Sequence, residues 1–238
     1  SNDRTSTYKL HARPVEEITK RILSPIKLFG EIGAINAESF ADFRIQLHAR
    51  AQLKAKKYRA ETEVKIGDTR DLSASWNSRS FDLVMTSPPY GDNMTTVTYG
   101  QHSYLPLNWI DYRDIDSAAD IETLRTTQEI DRRSLGGWIH DKSWSEERLL
   151  DSSPALRNCA GNLPAVPAGG RARLLRFYTD FAASLDSITK LTKPNGYMVW
   201  TVGNRSIGGR QVPTDLILSE MLSTHVCTVL KTLTRKIH

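Results

Sequence analysis

The sequence predicts an α/β fold, a sheet with flanking helices behind a helical N-terminal region, and three observations carry that expectation. Leu83-Val84-Met85-Thr86 after Asp82 is apolar enough for a buried strand, and Pro88 and Pro89 stop it at Ser87. Proline has no N–H to give to a ladder and holds φ near roughly −65°. Residues 171–191 put Leu174, Leu175, Phe177, Phe181, Leu185 and Ile188 at helical spacing, directly ahead of a second apolar run in Gly196–Val202. Glu63-Val64-Lys65-Ile66 alternates polar and apolar residues like a half-buried strand and ends in Gly67-Asp68.

Taken in order, the chain reads as helices over Pro14 to Leu23 and Ala37 to Arg59, then strands at 63–66 and 82–86. The second helix has Phe40, Phe43, Ile45, Leu47 and Leu53 as its apolar residues. It also gathers His48, Arg50, Lys54, Lys56, Lys57 and Arg59, a basic face that either tracks phosphates or is simply solvated. From Gly91 to about Gly170 the chain reads as a long irregular insertion with Trp138, Trp144 and the stretch Leu163-Pro-Ala-Val-Pro-Ala-Gly-Gly170. Loops of that length are usually functional or mobile, and this one suits target contacts or a lid. After the 171–191 helix, Pro194-Asn195-Gly196 supplies a tight turn and Tyr197–Val202 a strand. A glycine-rich loop and a helix capped at Thr214 or Asp215 follow, the helix running through Leu216, Ile217, Glu220, Met221 and Leu222. Val226 to Leu233 reads as a final strand. The domain expectation is a helical region over 1–60 and a catalytic region over 61–238 with the insertion at about 91–170.

Composition narrows the class. With 238 residues and 39% hydrophobic content the chain can bury one α/β core of ordinary size. No apolar run approaches the roughly 20 residues of a membrane span, and the polar start Ser-Asn-Asp-Arg-Thr-Ser is no signal peptide, so a cytoplasmic protein is expected. The two cysteines, Cys159 and Cys227, make neither a disulfide framework nor a zinc set, and the six histidines show no ligand spacing. A net charge of +5 is consistent with a polyanionic partner.

The chemistry is concentrated in Ser87-Pro88-Pro89-Tyr90. The prolines leave the carbonyls around Ser87 and Pro88 without neighbouring N–H donors, which makes an acceptor site. Tyr90 adds a flat ring suited to stacking on a planar substrate, while those carbonyls and the Ser87 hydroxyl engage an amino group. The substrate that fits is a nucleobase. Asp68, at a strand's carboxyl end, is placed where open α/β sheets bind ligands; it is either a ligand contact or a turn aspartate. Gly203 and Asn204 end the later strand and either border a pocket or serve sharp turns.

Ser87-Pro88-Pro89-Tyr90 resembles the catalytic motif of the amino-methylating, S-adenosylmethionine-dependent DNA methyltransferases, whose serine form is more usual in enzymes that act on cytosine N4. Gly67-Asp68 is similar to an element of that family whose acid lies near the cofactor's adenine. The run Val202-Gly203-Asn204 with Pro213-Thr214-Asp215 is similar to its late motifs. Tyr104-Leu105-Pro106-Leu107-Asn108-Trp109-Ile110 and Asp131-Arg132-Arg133-Ser134-Leu135-Gly136-Gly137 look like segments near its catalytic loop. Trp109 reads as core, and Arg132 and Arg133 as exposed residues that either touch phosphate or are solvated.

The resemblance implies a Rossmann-like methyltransferase sheet, whole or incomplete, with S-adenosylmethionine as cofactor and DNA as partner. It implies Ser87, Pro88, Pro89 and Tyr90 as catalytic residues, and Gly67, Asp68, Gly203 and Asn204 on the cofactor side. A base would be flipped out of the duplex to be reached. Adenine N6 methylation, RNA amino methylation and a non-catalytic DNA-binding partner subunit are the alternatives. The family's cofactor loop, of the type Asp-Pro-Phe-x-Gly-x-Gly-Thr, has no good copy here. The nearest stretch, Leu28-Phe29-Gly30-Glu31-Ile32-Gly33-Ala34, lacks the leading Asp-Pro and the closing Gly-Thr. Tyr8-Lys9-Leu10-His11 is faintly similar to the segment that precedes the loop, which places absent material between about residues 25 and 40. The expectation is therefore that a partner chain or a missing segment supplies the loop.

Overall fold

The structure is a computed structural model that describes residues 14–20, 24–73, 76–91, 99–117, 126–137, 143–163 and 169–234. The chain divides into two compact units, Ser1–Val64 and Lys65–His238. The expected helix end at Leu23, Tyr8–His11, Trp138 and the prolines of the 163–170 stretch lie outside the described residues.

In the first unit, α1 (Val15–Lys20) and α2 (Pro25–Ala49) precede a two-stranded antiparallel hairpin, β1 (Leu53–Lys54) and β2 (Lys57–Tyr58). Helix α2 starts where local chemistry favours it, with the Ser24 hydroxyl accepting from the Lys27 N–H at 3.3 Å and Pro25 in the first turn. It covers Leu28–Ala34 and continues without a break through residues 25–40, so that stretch is helix and not a cofactor loop. A side chain at Gly30 or Gly33 would meet nothing within 4 Å, so neither glycine serves a close approach. The helix expected to reach Arg59 instead ends at Ala49, because Arg50 caps it and Ala51 turns into the left-handed region at φ 53°. The basic residues from Lys54 to Arg59 therefore belong to the hairpin and the chain leaving it.

In the second unit, β3 (Phe81–Thr86) and β4 (Thr192–Trp200) pair in parallel, Leu83 with Tyr197 through Thr86 with Trp200. Before that register, β3 advances two residues from Phe81 to Leu83 while β4 advances five from Thr192 to Tyr197. The expected Pro194-Asn195-Gly196 turn is this bulge, with Asn195 at φ 63°. Helix α7 (Gly170–Leu191) leads into β4, matching the amphipathic expectation. It buries Leu174, Phe177, Tyr178, Phe181 and Leu185 in a core shared with α5 (Glu146–Asp151), α6 (Pro154–Gly161) and α8 (Thr214–Thr224). Phe177 stacks on Phe181, and Phe181 meets Trp200 edge-on at 6.1 Å, which ties α7 to the inner face of β4.

Four sequence expectations are corrected in this unit. Residues 63–66 form no strand; the Ile66 N–H goes to the Asp116 carboxylate at 3.0 Å instead of to a ladder. Val226–Leu233 is irregular and exposed, with Val226 and Leu233 lacking any neighbouring strand to pair with among the described residues. The 91–170 insertion contains α3 (Tyr99–Trp109), a 3₁₀ turn over Tyr112–Asp114, α4 (Thr127–Arg133), α5 and α6. The glycine-rich loop after residue 204 is a second hairpin, β5 (Arg205–Ile207) and β6 (Arg210–Val212), turned by Gly208 and Gly209 at φ 57° and 77°. Both positions need the left-handed conformation that glycine adopts without a steric cost. No described helix is long and apolar enough to cross a membrane.

Candidate active site

The parallel pairing of β3 and β4 decides which motifs meet. Thr86 and Trp200 are register partners, and the Thr201 N–H continues the ladder to the Thr86 carbonyl at 3.0 Å. Ser87-Pro88-Pro89-Tyr90 and Val202-Gly203-Asn204 therefore leave the same carboxyl edge of the sheet from adjacent strands. Ser87 is exposed, Pro88 and Pro89 are half-buried, and all described peptides are trans.

Tyr90 returns across the later strand end. A side-chain carbon at Gly203 would sit 3.0 to 3.3 Å from Tyr90 Cδ2, Cε2 and Cγ, so the ring lies against the bare backbone of Gly203. Glycine is required there by close approach rather than by its own torsion. Tyr90 keeps 39% of its surface exposed, which suits presenting a ring face to a planar ligand. The next residue, Gly91, is buried, and a side chain there would overlap the Arg205 guanidinium. Arg205 thus reaches across from β5 to the end of the motif and brings a permanent positive charge to it. No local pattern in the sequence ties Arg205 to Gly91, so only the fold adds it to the site.

Asn204 has a structural task. Its side-chain oxygen accepts the Asp215 N–H at 3.2 Å in the first turn of α8, where Pro213 at the cap position makes no side-chain hydrogen bond. The helix is capped from another element rather than by Thr214 or Asp215.

Gly67 and Asp68 are built into a different neighbourhood, on α7. Asp68 accepts from both the backbone N–H and the Nε of Arg70, each at 2.9 Å. Arg70 in turn reaches the fully buried Asp180 carboxylate at 3.1 Å, and the other Asp180 oxygen accepts the Gly136 N–H at 2.8 Å. Thr69 meets Ser184 at 3.2 Å and the Leu72 N–H donates to Ser187 at 2.8 Å, so the whole turn is fastened along one helix. Burial pushes the Asp68 carboxyl up, but the hydrogen bonds and charge of Arg70 together outweigh it and hold it below its ordinary value. Bonding to Asp68 correspondingly raises the Arg70 guanidinium further. The Asp68 carboxylate is occupied by Arg70, and no hydrogen bond links it to the Ser87–Tyr90 motif among the described contacts.

The structure thus brings together Ser87, Pro88, Pro89, Tyr90, Gly203 and Asn204, adds Arg205, and sets Gly67 and Asp68 on the α7 clamp. Trp109 ends α3; Arg132 and Arg133 lie in the last turn of α4, with Arg133 bound to Glu129 at 2.6 Å.

Against known proteins, the chain is similar to a type II methyltransferase. The relative is M.MvaI of Kocuria varians, 32% identical over 182 residues, which is 76% of this chain and 38% of the relative. The chain therefore spans well under half of that protein's length. No protein-family model matches the chain, and no solved structure does.

Proposed function

We propose that this chain carries the base-holding half of an S-adenosylmethionine-dependent DNA amino-methyltransferase that serves in restriction-modification, with cytosine N4 as the preferred target. The observation that carries the reading is the juxtaposition at one sheet edge of Ser87–Tyr90 and Gly203, with the Tyr90 ring seated on Gly203. Sequence similarity to M.MvaI supports methyl transfer, and the serine in Ser87-Pro88-Pro89-Tyr90 supports cytosine over adenine.

In this reading the extruded base stacks on the exposed face of Tyr90, and its amino group donates to the Ser87 hydroxyl and the Pro88 carbonyl. An exocyclic amine is a poor nucleophile because its lone pair is delocalised into the ring. Acceptors set off the ring plane favour a pyramidal nitrogen with its lone pair available, so the chain's contribution is orientation and electrostatics rather than a covalent nucleophile. Arg205, next to Gly91, adds positive charge beside the motif.

Neither the 28–34 stretch nor Asp68 fits the methyl donor. The glycines of Leu28–Ala34 lie in a helix, and the Asp68 carboxylate is taken by Arg70. We therefore assign the cofactor loop to polypeptide outside these 238 residues, either further chain or a partner subunit. Calorimetry with S-adenosylmethionine tests that assignment: the 238-residue chain is expected to give no binding heat, and a strong exotherm would overturn it. Base analysis of DNA from cells carrying the full gene tests the rest. N4-methylcytosine is expected, only N6-methyladenine would overturn the preference, and no methylated base in DNA would leave the partner-subunit or RNA reading in its place. Ser87→Ala and Tyr90→Ala are expected to lower turnover about 10²-fold or more, the usual size of a lost positioning or acceptor group, with cofactor affinity little changed.

A further inference from the structure

We infer that the β1–β2 hairpin of the first unit is a backbone-contact element for duplex DNA. The inference rests on DNA being the substrate, as proposed above, and concerns residues that are not among those of the candidate active site. Three observations carry it. Between Phe43 and Ala60 the sequence has Arg44, Arg50, Lys54, Lys56, Lys57 and Arg59 and not one acidic residue. The solvated-face reading of a Lys-rich helix expects interspersed acids for local pairing, and this stretch has none.

The fold then concentrates that charge. Because α2 stops at Ala49, Lys54 and Lys57 become cross-strand partners, with Lys56 at the turn between them. Like charges directly opposite one another destabilise a hairpin, so the pairing works against stability unless an anion neutralises it.

The turn itself is held under strain. Ala55 and Lys56 occupy the left-handed region at φ 48° and 65°, where a two-residue turn of this kind strongly prefers Asn-Gly. The same chain uses Gly208-Gly209 for its other two-residue hairpin turn. Two residues with Cβ atoms in that conformation each cost on the order of 1 kcal/mol, and strain of this sort is retained where it serves a function. Here it presents the Lys56 side chain at the hairpin tip. Arg59 closes the base of the hairpin, its N–H donating to the Gln52 carbonyl and its guanidinium to the Ala51 carbonyl at 3.2 Å. A cleft of about 440 Å³ between α2 and the hairpin is lined by Phe40, Phe43 and Tyr58 together with Arg44, Lys56 and Lys57. Aromatic and basic residues so combined suit sugar–phosphate contacts.

The test is fluorescence anisotropy of the whole 238-residue chain on a labelled mixed-sequence duplex across a salt series. Each phosphate contact contributes about 0.9 to the slope of log K against log [salt]. The triple variant Lys54→Gln/Lys56→Gln/Lys57→Gln, which leaves Arg59 and its hairpin bonds in place, is expected to flatten the slope by roughly 2 to 3. The matching lysine-to-arginine triple is expected to keep it, which excludes a folding defect as the cause. An unchanged slope in the glutamine variant would overturn the inference while leaving the proposed methyl transfer standing. So would absence of duplex binding by the unaltered chain, or a slope change seen with single-stranded RNA only. Loss of DNA methylation in the full enzyme with duplex binding and its slope intact would instead count against the proposed function.

Discussion

Tyr90 and Gly203 show how a single hydrogen atom decides the shape of the candidate site. With no side chain at 203, the tyrosine ring settles on bare backbone and turns its other face outward. A methyl group there would stand 3.0 to 3.3 Å from three ring carbons, tighter than ordinary carbon contacts, and the ring is the part free to move. Gly203 lies outside the positive-φ glycines, so alanine meets no torsional penalty. Gly203→Ala is thus expected to leave the melting temperature nearly unaltered. Methyl transfer by the full enzyme is expected to fall about 10-fold, equivalent to roughly 1.4 kcal/mol of transition-state positioning. Paired thermal melts and single-turnover rates check this, and a variant as fast as the parent would separate Tyr90 from base stacking. The motif was legible in the sequence because proline torsions and the aromatic residue announce themselves locally. Arg205 was not, since its approach to Gly91 depends on β3 and β4 being neighbours and on a hairpin that no short pattern specifies.

At the scale of elements, the legible parts are those whose stability comes from a repeating face. Helices α7 and α8 and the end of β4 each set one side against the core, and that spacing survives in the sequence. Strands were misread at 63–66 and 226–233 because alternation describes a strand without supplying its partner. The β1–β2 hairpin was absorbed into a helix because Ala55-Lys56 carries no turn signature. Short helices α5 and α6 begin at Ser145 and at Ser153-Pro154, whose hydroxyls accept from the third residue on, but their apolar content is too low to mark them from afar.

The clamp that fixes the 67–72 turn to α7 is half legible: Asp68 stands in a Gly-Asp turn signal, whereas Asp180 lies inside a helix with nothing local to mark it. Asp180 is wholly buried between Arg70 and the Gly136 N–H, so removing its charge leaves a largely buried guanidinium short of one partner. Asp180→Asn is expected to cost about 3 kcal/mol, the lower end for breaking a buried pair, because Asp68 still holds Arg70. Asp68→Asn has a distinctive pH dependence. The folded-state carboxyl is held below its unfolded value, so its contribution is complete at neutral pH and is lost as pH falls through the folded value. The stability gap between this variant and the parent should be constant from pH 8 to 5. It should begin to close at about pH 4 and vanish in stronger acid. Denaturant titrations at stepped pH check both, and a gap that widened in acid would contradict the Arg70 pairing.

For the larger unit as a whole, the decisive fact is that, among the described residues, the parallel pair is clothed on one side. Met198, Trp200 and Val202 pack against the α7 core, whereas Leu83, Met85, Tyr197 and Val199 on the strands are 52%, 71%, 62% and 47% exposed. Parallel strands are normally buried on both faces, and an open apolar face of this kind asks for a cover. We propose that its cover is the polypeptide that brings the cofactor loop, since neither the 28–34 stretch nor Asp68 fits the methyl donor. This links two separate observations, a bare sheet face and a half-furnished site, to one cause. Met85→Lys/Tyr197→Lys puts charge on that face at positions exposed in the chain by itself. Its melting temperature alone should therefore change little, by the equivalent of about 0.5 kcal/mol. In the longer protein or the assembled complex the same lysines would be buried without partners, and S-adenosylmethionine affinity should fall at least 10-fold as the two halves separate. Side-by-side calorimetry on the chain and on the complete enzyme measures both effects. Full cofactor affinity in the doubly substituted enzyme would show that this face is covered by something else.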